Sequence, residues 1–153
     1  MFQPTKLSDN FYDVEFVSRE IFERFGPDSR WFISKEQVSA AEFVRSFFAN
    51  YFNKPDLKVV INNWHAGGTL NWCGHRTPDC PEGAKLSQHK MKGANDYHIE
   101  GVTDYAQIRK IVLANEAEFM AHGITCIEDG TNGWLHGDNR WTGLDHILVV
   151  PFQ

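Results

Sequence analysis

His89 and Asp96 stand seven residues apart in the stretch Ser87-Gln88-His89-Lys90-Met91-Lys92-Gly93-Ala94-Asn95-Asp96, and His136 lies in a second polar stretch, Trp134-Leu135-His136-Gly137-Asp138. Imidazole nitrogen and carboxylate oxygen both ligate zinc, at about 2.0–2.2 Å. One continuous helix cannot bring the first pair to a single ion, because at about 1.5 Å rise per residue their α-carbons would stand roughly 10 Å apart. The chain must turn between them, and Gly93 is expected to allow that turn. Asp96-Tyr97-His98-Ile99-Glu100 alternates polar and apolar residues, so Asp96 is expected to open a half-buried strand facing a loop-borne His89. His136 then completes a His-Asp-His set. Three protein ligands with a fourth position left for water is the usual layout of catalytic zinc, whereas structural zinc takes four protein ligands, often cysteine. One Zn2+ is the expected cofactor.

The segments Ser-Gln-His followed by Gly-Ala-Asn-Asp, and Trp-Leu-His-Gly-Asp, resemble the motifs of the zinc D-alanyl-D-alanine carboxypeptidase and L,D-endopeptidase family, which shares its fold with the hedgehog signalling domain. The likeness is to the phage and prophage branch. The family's first motif commonly runs Ser-x-His-x-x-Gly-x-Ala-x-Asp; Ser87, His89, Ala94 and Asp96 match it in register, while Lys92 stands at the glycine position and the glycine is displaced to Gly93. Asn62-Asn63-Trp64, Arg76-Thr77-Pro78-Asp79, Gly83-Ala84 and Glu128-Asp129-Gly130 also resemble that branch, so the likeness spans roughly residues 60–140. It implies a zinc peptidase acting on peptidoglycan peptide stems, with His89, Asp96 and His136 as ligands and Ser87 and Arg76 at the substrate. The family arginine grips a substrate carboxylate, for which a guanidinium offers a rigid two-pronged donor. Read from the residues alone, Arg76 is an exposed loop arginine beside Asp79; the resemblance gives it the substrate role instead.

Peptide hydrolysis at zinc also needs a carboxylate that moves a proton from water to the leaving amine. Several family members place a glutamate three residues before the last histidine, where this chain has Gly133. Glu128, Asp129 and Asp138 are the nearby carboxylates. If residues 129–133 form a five-residue turn, Glu128 lies opposite Trp134 and Cys126 opposite His136, which puts Glu128 on the metal face; a turn shorter by one residue would put Asp129 there instead. Glu128 is therefore the expected base. Asp138 is the second candidate, and two residues beyond a ligand it is equally placed to orient the His136 imidazole. A different class of function stays open beside the peptidase: a metal-stabilised binding or virion-structural protein on the same fold. The bond cut, terminal D-alanine or L,D linkage, is left open as well.

The 153 residues carry 42% hydrophobic and 14% aromatic content, enough for one domain, 1–153, with its own core. A formal charge of −5 without a Lys/Arg cluster argues against nucleic acid and against an anionic membrane as partners. Cys73, Cys80 and Cys126 lack a close Cys-x-x-Cys pair, so neither a disulfide framework nor a cysteine zinc site is indicated, with a single Cys73–Cys80 bridge as the remaining option. The first residues show no basic stretch, apolar core and cleavage site of a secretory signal, so the product is expected in the cytoplasm as made, reaching cell wall by lysis or as part of a virion.

Around these groups, residues 8–32 are expected to form a short helix or two. Ser34-Lys35-Glu36-Gln37 has the form of a capping box and opens a helix over about 35–53 whose aromatic stripe is core packing. Leu57–Asn62 reads as a strand. The glycine- and proline-rich stretch 63–85 reads as a long loop forming a wall of the site. Thr103-Asp104 caps a second helix that stops at Gly123, and strand-like runs follow at 124–128, 133–138 and 146–150. The order predicts an α+β fold with a mostly antiparallel sheet flanked by helices. Among the other histidines, His98 shares a strand face with Asp96 and is the rival ligand; His65, His75, His122 and His146 are expected at the surface or in support.

Overall fold

Val59–Val60 (β1), Ala94–Ile99 (β2), Cys126–Asp129 (β3), Leu135–Asp138 (β4) and Leu148–Pro151 (β5) form one five-stranded sheet in the computed structural model, which describes residues 2–152. The order is β1-β2-β4-β3-β5. All neighbours are antiparallel except β3 and β5, so the sheet is mixed and mostly antiparallel, in an α+β arrangement with helices. No helix among the described residues is long and apolar enough to cross a membrane.

The period of two along β2 and β4 divides their side chains between two jobs. Tyr97 and Ile99 of β2 and Leu135 of β4 join the main core, where they meet Val44 and Phe48 of the helix Lys35–Tyr51 (α2). Asp96, His136 and Asp138 point the other way. The α2 N-terminus forms as the sequence predicts: Ser34 Oγ accepts from the Gln37 amide and Gln37 returns a bond to the Ser34 amide. The α2 stripe buries Ala41, Val44 and Phe48, but Tyr51 and Phe52 at its end are exposed. The buried Gln37 side chain also donates to the Ala94 carbonyl, tying α2 to the start of β2.

Several boundaries differ from expectation. The N-terminal region gives a helix at Arg19–Phe25 (α1) followed by a 3-10 segment at Gly26–Phe32. Of the strand expected at Leu57–Asn62, only β1 pairs with a neighbour. Strand β2 begins two residues before Asp96, so Asp96 sits inside the strand. The single helix expected after Thr103-Asp104 is two, Tyr105–Ala114 (α3) and Glu116–Ala121 (α4), because Asn115 leaves helical geometry (φ −124°) and its side chain donates to the Ile111 carbonyl. Gly93 is not where the backbone turns left-handed: Lys92 takes that conformation (φ 60°), at the end of the 3-10 turn Gln88–Met91. A Cβ at Gly93 would instead press on the side-chain oxygen of Asn139, a residue whose backbone amide donates to the Gly93 carbonyl. Cys73, Cys80 and Cys126 are free thiols, so the optional Cys73–Cys80 bridge is absent.

The long loop is strapped onto the sheet through backbone groups. Buried Asn62 accepts from the Cys73 amide and donates to the Val17 carbonyl; the Cys73 carbonyl accepts from the Asp96 amide at 2.7 Å; the His75 amide donates to the Phe16 carbonyl at 2.6 Å. Gly74 lies at the crossing. A Cβ on Gly74 would overlap the Phe16 backbone carbonyl, which has no freedom to swing aside. Gly74→Ala is therefore expected to destabilise the protein by about 1–3 kcal/mol, read as a lower urea midpoint. Gly67→Ala is the control: it meets only the strain of a positive φ with open space around it, about 1 kcal/mol. Equal losses for the two variants would refute the overlap as the cause.

Candidate metal centre

Three elements deliver three donor atoms. His89 is carried by the 3-10 turn Gln88–Met91, whose N-terminal cap Ser87 accepts from the His89 amide. Asp96 and His136 are direct cross-strand partners on β2 and β4. Because the Asp96 amide turns away to Cys73, this is the non-hydrogen-bonded kind of antiparallel pair, in which side chains approach most closely. The result is a triangle. His136 Nδ1 lies 2.9 Å from Asp96 Oδ1, and His89 Nε2 lies 3.3 Å from both. All three residues are buried, and the group could hold a metal ion. Four ligands placed tetrahedrally at about 2.0–2.1 Å stand about 3.3–3.4 Å from one another; the two edges at His89 have that length, and the 2.9 Å edge between His136 and Asp96 is shorter, as a direct hydrogen bond is.

The outer nitrogens fix which ring atoms face inward. His89 Nδ1 is 2.7 Å from the Gly74 carbonyl, so it carries the proton there and leaves the Nε2 lone pair to the centre. His136 is reversed: its Nε2 is 3.0 Å from Asp138 Oδ2, leaving Nδ1 inward. Arg140 grips Asp138 at both oxygens, Nη2 to Oδ2 at 2.6 Å and Nε to Oδ1 at 2.8 Å. A carboxylate behind a ligating imidazole is the common way such rings are oriented and made more basic. Asp138 is committed to this bond and does not line the cavity, so of the two readings the residues allowed, orienting His136 fits its position.

Glu128 stands on the cavity side. Its Oε2 is 3.9 Å from His136 Nδ1 and its side chain is partly exposed to the cleft. The β3–β4 register pairs Cys126 with Asp138 and Ile127 with Gly137. This differs by two residues from the expected alignment, an even shift, so Glu128 keeps the face of His136 and Asp129 falls at the mostly exposed end of the strand.

A cleft of about 560 Å³ opens over the triangle. Arg76 lies on its wall, with Nη2 3.4 Å from Asp96 Oδ2 and Nε donating to the Trp72 carbonyl. Ser87 also lines it, with its hydroxyl engaged by the His89 amide. Trp134 and Phe152, edge to face at 5.5 Å, form an aromatic wall. His98 is outside the triangle: its Nε2 is 3.4 Å from Cys73 Sγ. Burial pushes the Cys73 thiol up to about 12, which rules it out as a thiolate at neutral pH. His75, expected at the surface or in support, is buried and stacked on Phe32, and burial pulls its pKa down to about 4. His122 caps α4 and stacks on Phe43, and His146 pairs with exposed Asp145.

Gly74 and Arg140 were not foreseen. Arg140 does leave a signal, since the alternating spacing His136-x-Asp138-x-Arg140 would put it on the side of Asp138 if the chain stays extended past the end of β4. The Gly74 carbonyl leaves none, because a backbone acceptor has no residue type. No family model, no curated protein and no solved structure matches the chain.

Burial alone would lower the pKa of His136, but its bonds to Asp138 and Asp96 prevail and raise it to about 10. Burial likewise opposes ionisation of Asp96, yet the two imidazoles hold that carboxyl well below its usual range. In the metal-free protein, His136 thus contributes stability that is complete below its unfolded pKa of about 6.5 and fades as pH rises through about 10. Asp96 contributes above about pH 4 and loses its contribution as pH falls further. A metal must displace the His136 proton. Zinc affinity is expected to rise about tenfold per pH unit between roughly pH 6.5 and 8, with about one proton released, measured by titration calorimetry in buffers of different ionisation enthalpy. Affinity independent of pH over that range would refute the protonated His136.

Proposed function

We propose that the protein is a zinc-dependent peptidase that cleaves peptide stems of cell-wall peptidoglycan. The observation that carries the reading is a buried triangle of two imidazoles and one carboxylate, with edges of 2.9–3.3 Å, opening into a cleft beside an uncommitted carboxylate, Glu128. His89, Asp96 and His136 would hold the ion. Zinc in such a set supplies Lewis acidity, polarising a carbonyl and acidifying water.

The chain's own groups then have distinct tasks. Glu128 accepts the proton of the attacking water at Oε2 and passes it to the leaving amine, a role for which the Gly133 position has no side chain. Asp138, held by Arg140, keeps His136 in the tautomer that ligates. Arg76 is proposed to grip an anionic group of the substrate, most simply a peptide carboxylate, with the part of its fork not turned to Trp72 and Asp96. The substrate class comes from the resemblance of the motifs at Ser87–Asp96 and Trp134–Asp138, and the hedgehog-type fold belongs to the same proposal.

A digest of purified muropeptides with and without chelator, read by mass spectrometry, tests the reaction and identifies the bond. Metal-dependent loss of a residue or of a cross-link is expected. An unchanged digest with zinc-loaded protein would replace the peptidase by the binding or virion-structural reading. Glu128→Gln is expected to keep its zinc and to lower kcat by about 10²–10⁴-fold. Zinc lost together with activity would make Glu128 a ligand instead of the base.

A further inference from the structure

On the β3–β4 side the cleft is bordered by Glu128, near the end of β3, and by Trp134, at the end of the five-residue turn 130–134 that joins β3 to β4. Asp129 precedes this turn and Trp134 ends it, while Gly130 and Gly133 both take positive φ, 85° and 103°. Two such glycines give the turn more accessible conformations than any other residue pair would. Something outside the turn has to select one.

That group is Arg109 of α3. Its side chain is 8% exposed, and it reaches across to the turn from beneath the sheet. Nη1 donates to the Thr131 carbonyl and to Thr131 Oγ1, both at 2.9 Å, and Nε approaches Asp129 Oδ1 at 3.3 Å. Thr131 is fully buried and its hydroxyl passes the connection on, donating to the Trp134 carbonyl at 2.9 Å. One guanidinium therefore fixes the entrance, the middle and, through Thr131, the exit of the turn. Lysine could satisfy Thr131 but has no second nitrogen at the fixed angle that Asp129 requires.

We infer that Arg109 is a positioning residue for the cleft: by clamping the 130–134 turn and Asp129 at its entrance, it sets where the adjacent Glu128 stands relative to His136 and where Trp134 closes the wall. Arg109 touches neither the donor triangle nor the cleft, so it acts only through the turn. The inference rests on the peptidase reading for its consequence in catalysis, but the clamp can be read without that reaction. A base must sit within hydrogen-bond reach of its proton, and displacements of about 1 Å cost about 100-fold in rate.

The test uses the full chain with Arg109→Met, Arg109→Lys and Thr131→Val. In the metal-free protein, amide hydrogen exchange at 130–134 should speed up in Arg109→Met while exchange in β2 stays slow. Zinc stoichiometry should remain at the wild-type value. On a muropeptide that the wild type cleaves, kcat should fall about 10- to 100-fold with KM within about twofold, with partial recovery in Arg109→Lys. Thr131→Val keeps the buried cation bonded to the main chain and removes the relay to Trp134, so it should show the same split more weakly, and it serves if Arg109→Met fails to fold. Unchanged exchange at 130–134 overturns the clamp. Faster exchange with unchanged kcat, or a fall in kcat accompanied by equal loss of zinc, overturns the positioning role. A wild type without metal-dependent cleavage overturns the peptidase reading and the catalytic part of this inference, while the exchange data still decide the clamp.

Discussion

Two imidazoles and a carboxylate packed within 3.3 Å of one another, away from water, cannot be left to themselves. Burying an ionised group costs several kcal/mol unless it is paired, and two inward lone pairs repel unless a proton or a cation lies between them. Much of the molecule can be understood as the answer to that constraint. The Gly74 carbonyl turns one ring, Asp138 turns the other, and Arg140 keeps Asp138 ionised by meeting both of its oxygens. Arg76 approaches the oxygen of Asp96 that the imidazoles do not use.

These supports come from parts of the chain with different structural character. The strands provide the closest and most rigid pair, Asp96 opposite His136, because a non-hydrogen-bonded antiparallel pair brings side chains together without any help from loops. The third donor, His89, arrives on a short turn, and its position depends on the strap at residues 73–76 that is bonded to Phe16 on one side and to β2 on the other. The N-terminal third, far from the ligands in sequence, thereby contributes to their geometry. Val17, Ile21 and Phe22 form a separate small apolar cluster that holds this layer in place.

The sequence made the donor cluster legible because metal chemistry restricts residue type as well as spacing. His89, Asp96 and His136 could be named, and so could the face of Glu128, since an error of two residues in register leaves strand faces unchanged. Helix α2 was legible from its cap and period. What escaped notice was governed by single backbone conformations or by acceptors without side chains. Asn115 breaks a pattern whose apolar period runs on unbroken, and Lys92 adopts the left-handed turn that a neighbouring glycine appeared made for. The Gly74 carbonyl orients a ligand without being visible as a residue type. Arg109 reads as an ordinary polar position on an amphipathic helix, and only the fold reveals that its side chain is directed at a glycine-rich turn.

The proton that His136 shares with Asp96 and Asp138 has a consequence for how the molecule is made. In small zinc domains the metal is the folding nucleus, and the chain is unfolded without it. Here an extensive apolar core built on Phe48, Tyr97 and Phe119 does that work, and the proton occupies the electrostatic role of the ion while the ligands are already in place. Binding of a metal at this group would then be an exchange of one cation for another at a finished template. The donor atoms stand at their places without an ion, so a metal binding there would need no refolding of the chain around it.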